Sequence, residues 1–220
     1  LNTEAVISLL KRTNKNGHFL YLSSSEVYSG LKNKWTEDKV GTANTDHPRA
    51  CYIQSKKSGE TLVYLYGKKL NINTKSIRLC LAYGPGNKKN DKRVLYQFID
   101  KALQQKKIKM LDSGIENRSY IYISDTIEKM INITFFGTKN IYNIGGEKSI
   151  TIVGLAKKIG KILNVPVISP NKKQLNKIGA PFNTSVRNNA YDEEFEYKKL
   201  KSLDYGLRKT IEWQKIINKV

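Results

Sequence analysis

The sequence predicts an α/β protein, with a parallel sheet in its first part and a smaller appended α/β domain after it. Three observations carry this. Apolar runs of strand length alternate with stretches of helical period from His18 to about Ile144. Gly, Asn and Asp punctuate the joins, as at Thr13–Gly17 and Tyr83–Gly86. A chain of 220 residues with 39% hydrophobic side chains is long enough for one good core, or one and a half small ones.

Taken in order, Leu1–Arg12 reads as a helix with Ala5, Val6, Leu9 and Leu10 on one face. His18–Leu22 reads as a buried strand, and Ser29–Asp46 as a polar loop holding Trp35, Glu37 and Asp38. Asp46-His47-Pro48 is a helix-start signal, a capping acid followed by a proline that pre-sets the first turn. The helix Pro48–Lys69 then turns Leu62, Leu65 and Tyr66 toward the sheet. Ile72–Cys80 is a strand, Tyr83–Gly86 a turn and Asp91–Gln105 a helix. Ile108–Leu111 and Tyr120–Ile123 are short strands, and Ser124 caps the helix Asp125–Phe136. Asn140–Ile144 is a strand, Thr151 caps the helix Ile152–Leu163, and Val165–Ile168 is a further short strand. Residues 171–190 show no clear period, and Asp204–Asn218 is a terminal helix. The expected division is 1–86 and 87–220, with Arg118–Phe136 packing back on the first part.

The chemistry points to Tyr52 and Lys56, one helical turn apart on one face. A free phenol is a poor base at neutral pH, and a neighbouring ammonium favours its anion. The early turns of a helix, near the positive end of its dipole, act in the same sense. Ser23, Ser24, Ser25 and Glu26 follow the strand His18–Leu22 and so stand at its C-terminal edge, where open α/β sheets bind ligands. A Tyr and a Lys four apart also suit a plain solvated helix, and Glu26 a cap or surface pair.

The net charge of +20 raises the question of nucleic acid. The basic residues are spread as lysine pairs along the whole chain, only seven are arginine, and no aromatic platform lies in a basic stretch. Nucleic acid is therefore not the expected partner. No apolar run approaches the length of a bilayer span, so no membrane partner is expected either. Cys51 and Cys80 fall in different elements and read as small buried groups, which suits a reducing cytoplasm. No His, Cys and carboxylate cluster has metal-ligand spacing, and His18 and His47 read as structural.

An ordered series of strings carries a resemblance. It runs Ser23-Ser24-Ser25-Glu26-Val27-Tyr28, Pro48-Arg49-Ala50-Cys51-Tyr52 to Lys56, Gly59-Glu60-Thr61-Leu62, Arg78 before Tyr83-Gly84-Pro85, Asp91–Val94, Asn117–Tyr120 with Ser124-Asp125, and Tyr142–Gly146. In this order and spacing it resembles the extended short-chain dehydrogenase/reductase family of nucleotide-sugar epimerases, dehydratases and decarboxylases, above all its UDP-glucuronate decarboxylase branch. The resemblance runs from Leu1 to about Leu163. It implies a Rossmann-type parallel sheet with a smaller nucleotide-sugar-binding domain, NAD as cofactor, a UDP-sugar as the bound partner and a homodimer formed through Leu1–Arg12 and Pro48–Lys69.

The resemblance also implies roles. Tyr52 takes a proton from the sugar C4 hydroxyl, Lys56 supports it and meets the nicotinamide ribose, and Ser24, Ser25 and Glu26 complete the catalytic edge. Ser23 lies beside the cofactor, Arg118 pairs a sugar carboxylate and Arg93 meets the diphosphate. Ser25 stands where dehydratases of the family carry an acid, which disfavours loss of water. Leu81 stands where the family places a polar contact to the sugar nucleotide. No G-x-x-G-x-x-G stands in these residues, so the first strands of the family's sheet are expected to be missing, either from a fragment of a longer protein or from a truncated gene product.

Overall fold

The structure, a computed structural model, describes residues 3–32, 35–170 and 183–219. In chain order the elements are α1 (Glu4–Arg12), β1 (His18–Ser24), α2 (Ala50–Leu70), β2 (Asn73–Leu79), β3 (Leu81–Tyr83), α3 (Val94–Gln105), β4 (Ile108–Lys109) and β5 (Asn117–Tyr122). There follow α4 (Ile123–Phe136), β6 (Ile141–Ile144), β7 (Ser149–Thr151), α5 (Ile152–Leu163), β8 (Val167–Ile168), β9 (Asn183–Thr184), α6 (Asn189–Glu194) and α7 (Leu203–Asn218). A 3₁₀ turn, Ser25–Tyr28, follows β1 directly.

The first sheet has the order β1-β2-β6, all parallel. Parallel neighbours need a crossover, and α2 supplies it between β1 and β2. The register sets Ser23 opposite Arg78 and Ser24 opposite Leu79. A second sheet pairs β5 with β3, β7 and β9, and β4 pairs with β8. The expected boundary near residue 86 is crossed twice: β6 joins the first sheet and α4 packs on β1 and β2.

Four apolar clusters hold these layers together. One, around Leu95, Ile99, Ile108, Leu155, Ile159 and Leu207, fills the space between α3, α5 and α7. A second joins Ile77, Ile121, Ile133, Tyr142 and Ile144 across both sheets. A third packs Val6 and Leu10 of α1 on Val63 of α2 and Tyr21 of β1. The fourth gathers Val27, Tyr28, Trp35, Cys80 and Val186 at the end of the first sheet. Helix ends follow local chemistry: Thr151 Oγ1 accepts from the Gly154 amide at 3.0 Å, and Asn71 ends α2 in the left-handed region at φ 53°.

Several expectations are corrected. Helix α2 starts at Ala50, not at Pro48, because Asp46-His47-Pro48 form a separate turn closed by the Ala50 amide on the His47 carbonyl. Ser124 lies inside α4, whose N-cap is Tyr122. Tyr83 ends a strand, where a turn is expected. Leu9 and Leu65 are exposed, since a single layer of neighbours covers α1 and α2 and leaves their outer faces in solvent. Cys80 is buried as expected but Cys51 is exposed. Strand β1 is only partly buried, because among the described residues it pairs with β2 alone and forms the sheet edge. The outer face of α4 likewise exposes Ile127, Ile131, Phe135 and Phe136. The expected helix over residues 1–12 is found from Glu4, with Leu1 and Asn2 outside the described residues. Of the stretch without period, residues 171–182 lie outside them too, and the rest holds β9 and the start of α6.

Candidate active site

The site forms where β1 ends and α2 begins. The 3₁₀ turn after Ser24 exists because the Ser24 hydroxyl accepts from the Glu26 amide at 3.2 Å, satisfying a donor that no helix residue can. That turn throws Glu26 toward the start of α2. There Arg49 donates from Nε and Nη2 to the two carboxylate oxygens at 2.5 and 2.6 Å, a bidentate pair. The Arg49 guanidinium also lies over the Tyr52 ring, 5.3 Å from its centroid. The ion pair raises the Arg49 pKa above its ordinary value.

Tyr52 occupies the first turn of α2 and is partly exposed. One turn on, the Lys56 ammonium lies 5.8 Å from the Tyr52 ring centroid and 5.0 Å from that of Tyr21. It donates to the Leu22 carbonyl at 2.7 Å, which ties it to β1. Burial lowers the Lys56 pKa. Tyr21 carries the opposite shift: burial, then the charges of Glu60 and Tyr52, push its phenol up to about 12, so it stays neutral beside Lys56. Gly59 is required here, because a Cβ would come within 2.1 Å of the Tyr21 hydroxyl.

Beneath this edge lies a buried polar network. Arg78, 2% exposed, donates to both carboxylate oxygens of Glu60, to the Tyr28 hydroxyl and to the carbonyls of Glu37 and Lys39. Tyr28 in turn donates to Asn143 at 2.8 Å and stacks on Trp35. Glu37 accepts from the amides of Asn143 and Ala190, fixing the long loop to β6 and α6.

The predicted residues fall into three groups. Tyr52, Lys56, Ser24 and Glu26 converge on one edge. The hydroxyls of Ser23 and Ser25 turn elsewhere: Ser23 donates to buried Glu60 at 2.5 Å, and Ser25 hydrogen-bonds the Cys80 thiol, which burial pushes up to about 11. Arg93 and Arg118 line a neighbouring cavity of about 370 Å³ together with Leu81, Tyr83, Tyr96 and Tyr120. Leu81, which cannot hydrogen-bond a sugar through its side chain, thus becomes part of an apolar wall. Arg93 is engaged with Asp91 at 2.7 Å and lies over Tyr96. Arg118 is half-buried, and burial lowers its pKa against the opposing charges of Tyr120, Glu116 and Glu26. Arg49, to which the sequence assigns no site role, is the group that joins Glu26 to Tyr52. Its one local signal is a cation at a helix N-terminus, where the dipole disfavours it.

A model of the NAD dependent epimerase/dehydratase family matches residues 1–145. The chain belongs to that family. Among its relatives, UDP-glucuronic acid decarboxylase 1 of Xenopus tropicalis is 30% identical over 164 residues, 74% of this chain and 39% of the relative. UDP-glucuronic acid decarboxylase 6 of Arabidopsis thaliana is 30% identical over 168 residues, 76% of this chain and 48% of the relative. The chain thus spans less than half the length of these relatives. Among solved structures, the UDP-glucuronic acid 4-epimerase of Bacillus cereus, in complex with UDP-glucuronic acid and NAD, superposes with a TM-score of 0.82 at 23% identity, covering 98% of this chain and 68% of that one. A dTDP-glucose 4,6-dehydratase of Bacillus anthracis in complex with NAD gives 0.77 at 20% identity, over 99% and 68%. These likenesses establish the Rossmann-type fold. No described helix is long and apolar enough to cross a membrane.

Proposed function

We propose that this chain carries the sugar-facing side of an NAD-dependent nucleotide-sugar enzyme whose reaction is that of a UDP-glucuronate decarboxylase. One observation carries the reading: a phenol and an amine one turn apart stand at the end of a parallel strand, where Arg49, over the phenol ring, holds the Glu26 carboxylate. The decarboxylases among the relatives support the choice of reaction.

Tyr52 accepts the proton of the sugar C4 hydroxyl, and Lys56 stands one helical turn away with its ammonium 5.8 Å from the Tyr52 ring centroid. The Ser24 hydroxyl stands at the same strand end and shares that hydrogen bond. NAD, when bound, supplies the oxidation at C4 and its reversal. The residues present suit its ribose, because Tyr52 and Lys56 are both only partly buried and the ammonium, with one donor on the Leu22 carbonyl, has two more to offer. No Gly-rich phosphate turn occurs among the 220 residues to hold its pyrophosphate. The C4 ketone turns the C5 carboxylate into a β-keto acid, whose carbon–carbon bond breaks to release carbon dioxide. Its electron pair remains on the sugar as an enolate, which is then protonated. Arg118 orients the carboxylate by its planar fork, and Arg93, once it leaves Asp91, meets the diphosphate. Residues 1–86, with α4 and β6 returning to their sheet, form the cofactor side, and the rest of 87–220 the nucleotide-sugar side. We assign the protein to the cytoplasm and to a homodimer built on α1 and α2.

The test is to incubate the chain with NAD and UDP-glucuronate labelled at its carboxylate, following labelled carbon dioxide. Release that Tyr52→Phe lowers by a hundredfold or more supports the reading. Release that survives the change within a few fold refutes the proton role. In a second reading this chain binds a nucleotide sugar through the cavity lined by Arg93 and Arg118 without turning it over. Calorimetry would then show sugar-nucleotide binding with no carbon dioxide. Water loss from dTDP-glucose, or epimerisation at C4 alone, would place the chain with the dehydratases or epimerases.

A further inference from the structure

We propose that Arg49 is a positioning and selectivity residue: by clasping Glu26 it cancels a negative charge beside Tyr52, and so admits an anionic sugar, a uronate, to the site. The proposal rests on the nucleotide-sugar reading above.

The geometry is specific. Arg49 stands three residues before Tyr52 at the N-cap of α2, and its side chain makes no cap hydrogen bond there. Its Nε and Nη2 are both taken by Glu26, and its Cζ stands over the Tyr52 ring. Nη1 makes no hydrogen bond among the described residues, leaving a donor at the reacting edge. Stability does not explain the pair. The Arg49 side chain is 41% exposed and that of Glu26 20%, and ion pairs this open contribute little. A cation at a helix N-terminus is moreover disfavoured by the dipole. What the pair does is local: it fixes where the Glu26 carboxylate lies and what charge a ligand meets.

That charge matters for one class of substrate. A uronate bears its carboxylate on the carbon next to the one whose hydroxyl Tyr52 addresses. An uncompensated Glu26 would repel it at short range. The other charges nearby do not replace Arg49. Arg118 feels Glu26, but it also feels Glu116. The Lys56 ammonium is held by the Leu22 carbonyl near the Tyr21 ring and makes no ion pair with Glu26 among the described residues. A neutral sugar such as glucose has no carboxylate there, so its binding should be indifferent to whether Glu26 is compensated.

The experiment is calorimetry of the whole chain with UDP-glucuronate and with UDP-glucose, NAD present. Arg49→Gln should weaken UDP-glucuronate about tenfold or more and UDP-glucose less than about threefold. The double variant Arg49→Gln/Glu26→Gln should regain most of the lost UDP-glucuronate affinity, because the repelling charge is gone. A purely structural role would weaken both ligands alike and would not be relieved by the second change. Equal losses for the two sugars, or no recovery in the double variant, overturn the proposal. If Arg49→Gln does not fold by circular dichroism, Arg49→Lys takes its place, keeping the charge but losing the fork. Because the compensating charge is kept, a loss of UDP-glucuronate affinity under about threefold is then expected, and a loss of about tenfold or more overturns the proposal. An unaltered chain that binds neither sugar refutes the nucleotide-sugar reading itself, and this proposal with it.

Discussion

Removing Arg78 tests whether the edge carrying Ser24 and Glu26 is held from below. Its guanidinium is 2% exposed and Glu60 8%, with Nη2 to Oε2 at 2.8 Å. Arg78→Met fills much of the space but leaves the Glu60 carboxylate buried with, among the described residues, only Ser23 donating to it. Breaking a buried pair by deleting one partner costs about 3–5 kcal/mol. The Tyr28 hydroxyl and the Glu37 and Lys39 carbonyls lose a donor as well. In a chain of this size each kcal/mol shifts the midpoint by roughly 2–4 °C, so a fall of about 6–20 °C is expected. The assay is thermal unfolding by circular dichroism, with Glu60→Met and the double variant alongside. The double variant removes both charges and should recover more than half of the loss. A midpoint within about 3 °C of the parent, or strictly additive losses, would refute the idea that Arg78 is there to balance Glu60.

Three other outcomes follow from the geometry. Gly59→Ala forces a Cβ to within 2.1 Å of the Tyr21 hydroxyl and should cost about 1–3 kcal/mol. That hydroxyl has no hydrogen-bond partner among the described residues, so Tyr21→Phe should be nearly neutral alone; it should relieve Gly59→Ala only in part, because the ring Cζ would still lie 2.4 Å from the new Cβ, as urea titration would show. Burial raises the Cys80 thiol to about 11, so the neutral thiol is favoured by folding and its share of stability is full below the unfolded pKa. That share, about 2–3 kcal/mol, is lost between about pH 9 and pH 11, and denaturant midpoints of Cys80→Ala should fall less across this window than those of the parent. Tyr52→Phe should leave the melting midpoint within about 2 °C, because the side chain is partly exposed and its hydroxyl makes no hydrogen bond among the described residues, while on the proposed reading it lowers carbon dioxide release by about a hundredfold or more.

Long elements with a clear period were legible in the sequence. The strands β1, β2 and β6 and the helices α2, α3 and α5 lie where apolar runs and caps place them, within two or three residues. Elements of two or three residues, β3, β7 and β9, were not, since they exist only through partners far along the chain. The direction of Leu9 and Leu65 was missed for a related reason: periodicity marks an apolar face but not which part of it finds a neighbour. Of the site, the Tyr52 and Lys56 pairing follows from helix geometry alone. The grip of Arg49 on Glu26 spans 23 positions and depends on a 3₁₀ turn that Ser24 creates, so no local pattern announces it. The inward turn of Ser23 was hidden likewise, because alternation along a strand says which side a residue takes but not that Glu60 waits there.

The open flank of β1 and the bare outer side of α4 decide how this molecule must be handled. Unpaired amides along a strand invite other strands, and a greasy stripe of isoleucine and phenylalanine invites other stripes. Crowded preparations will therefore cloud and foul hydrophobic resins, and a dye such as ANS will fluoresce on native material. Dilute, cold stocks with mild solubilisers are the practical answer, and the high positive charge that keeps copies apart should be left unscreened by working in low salt.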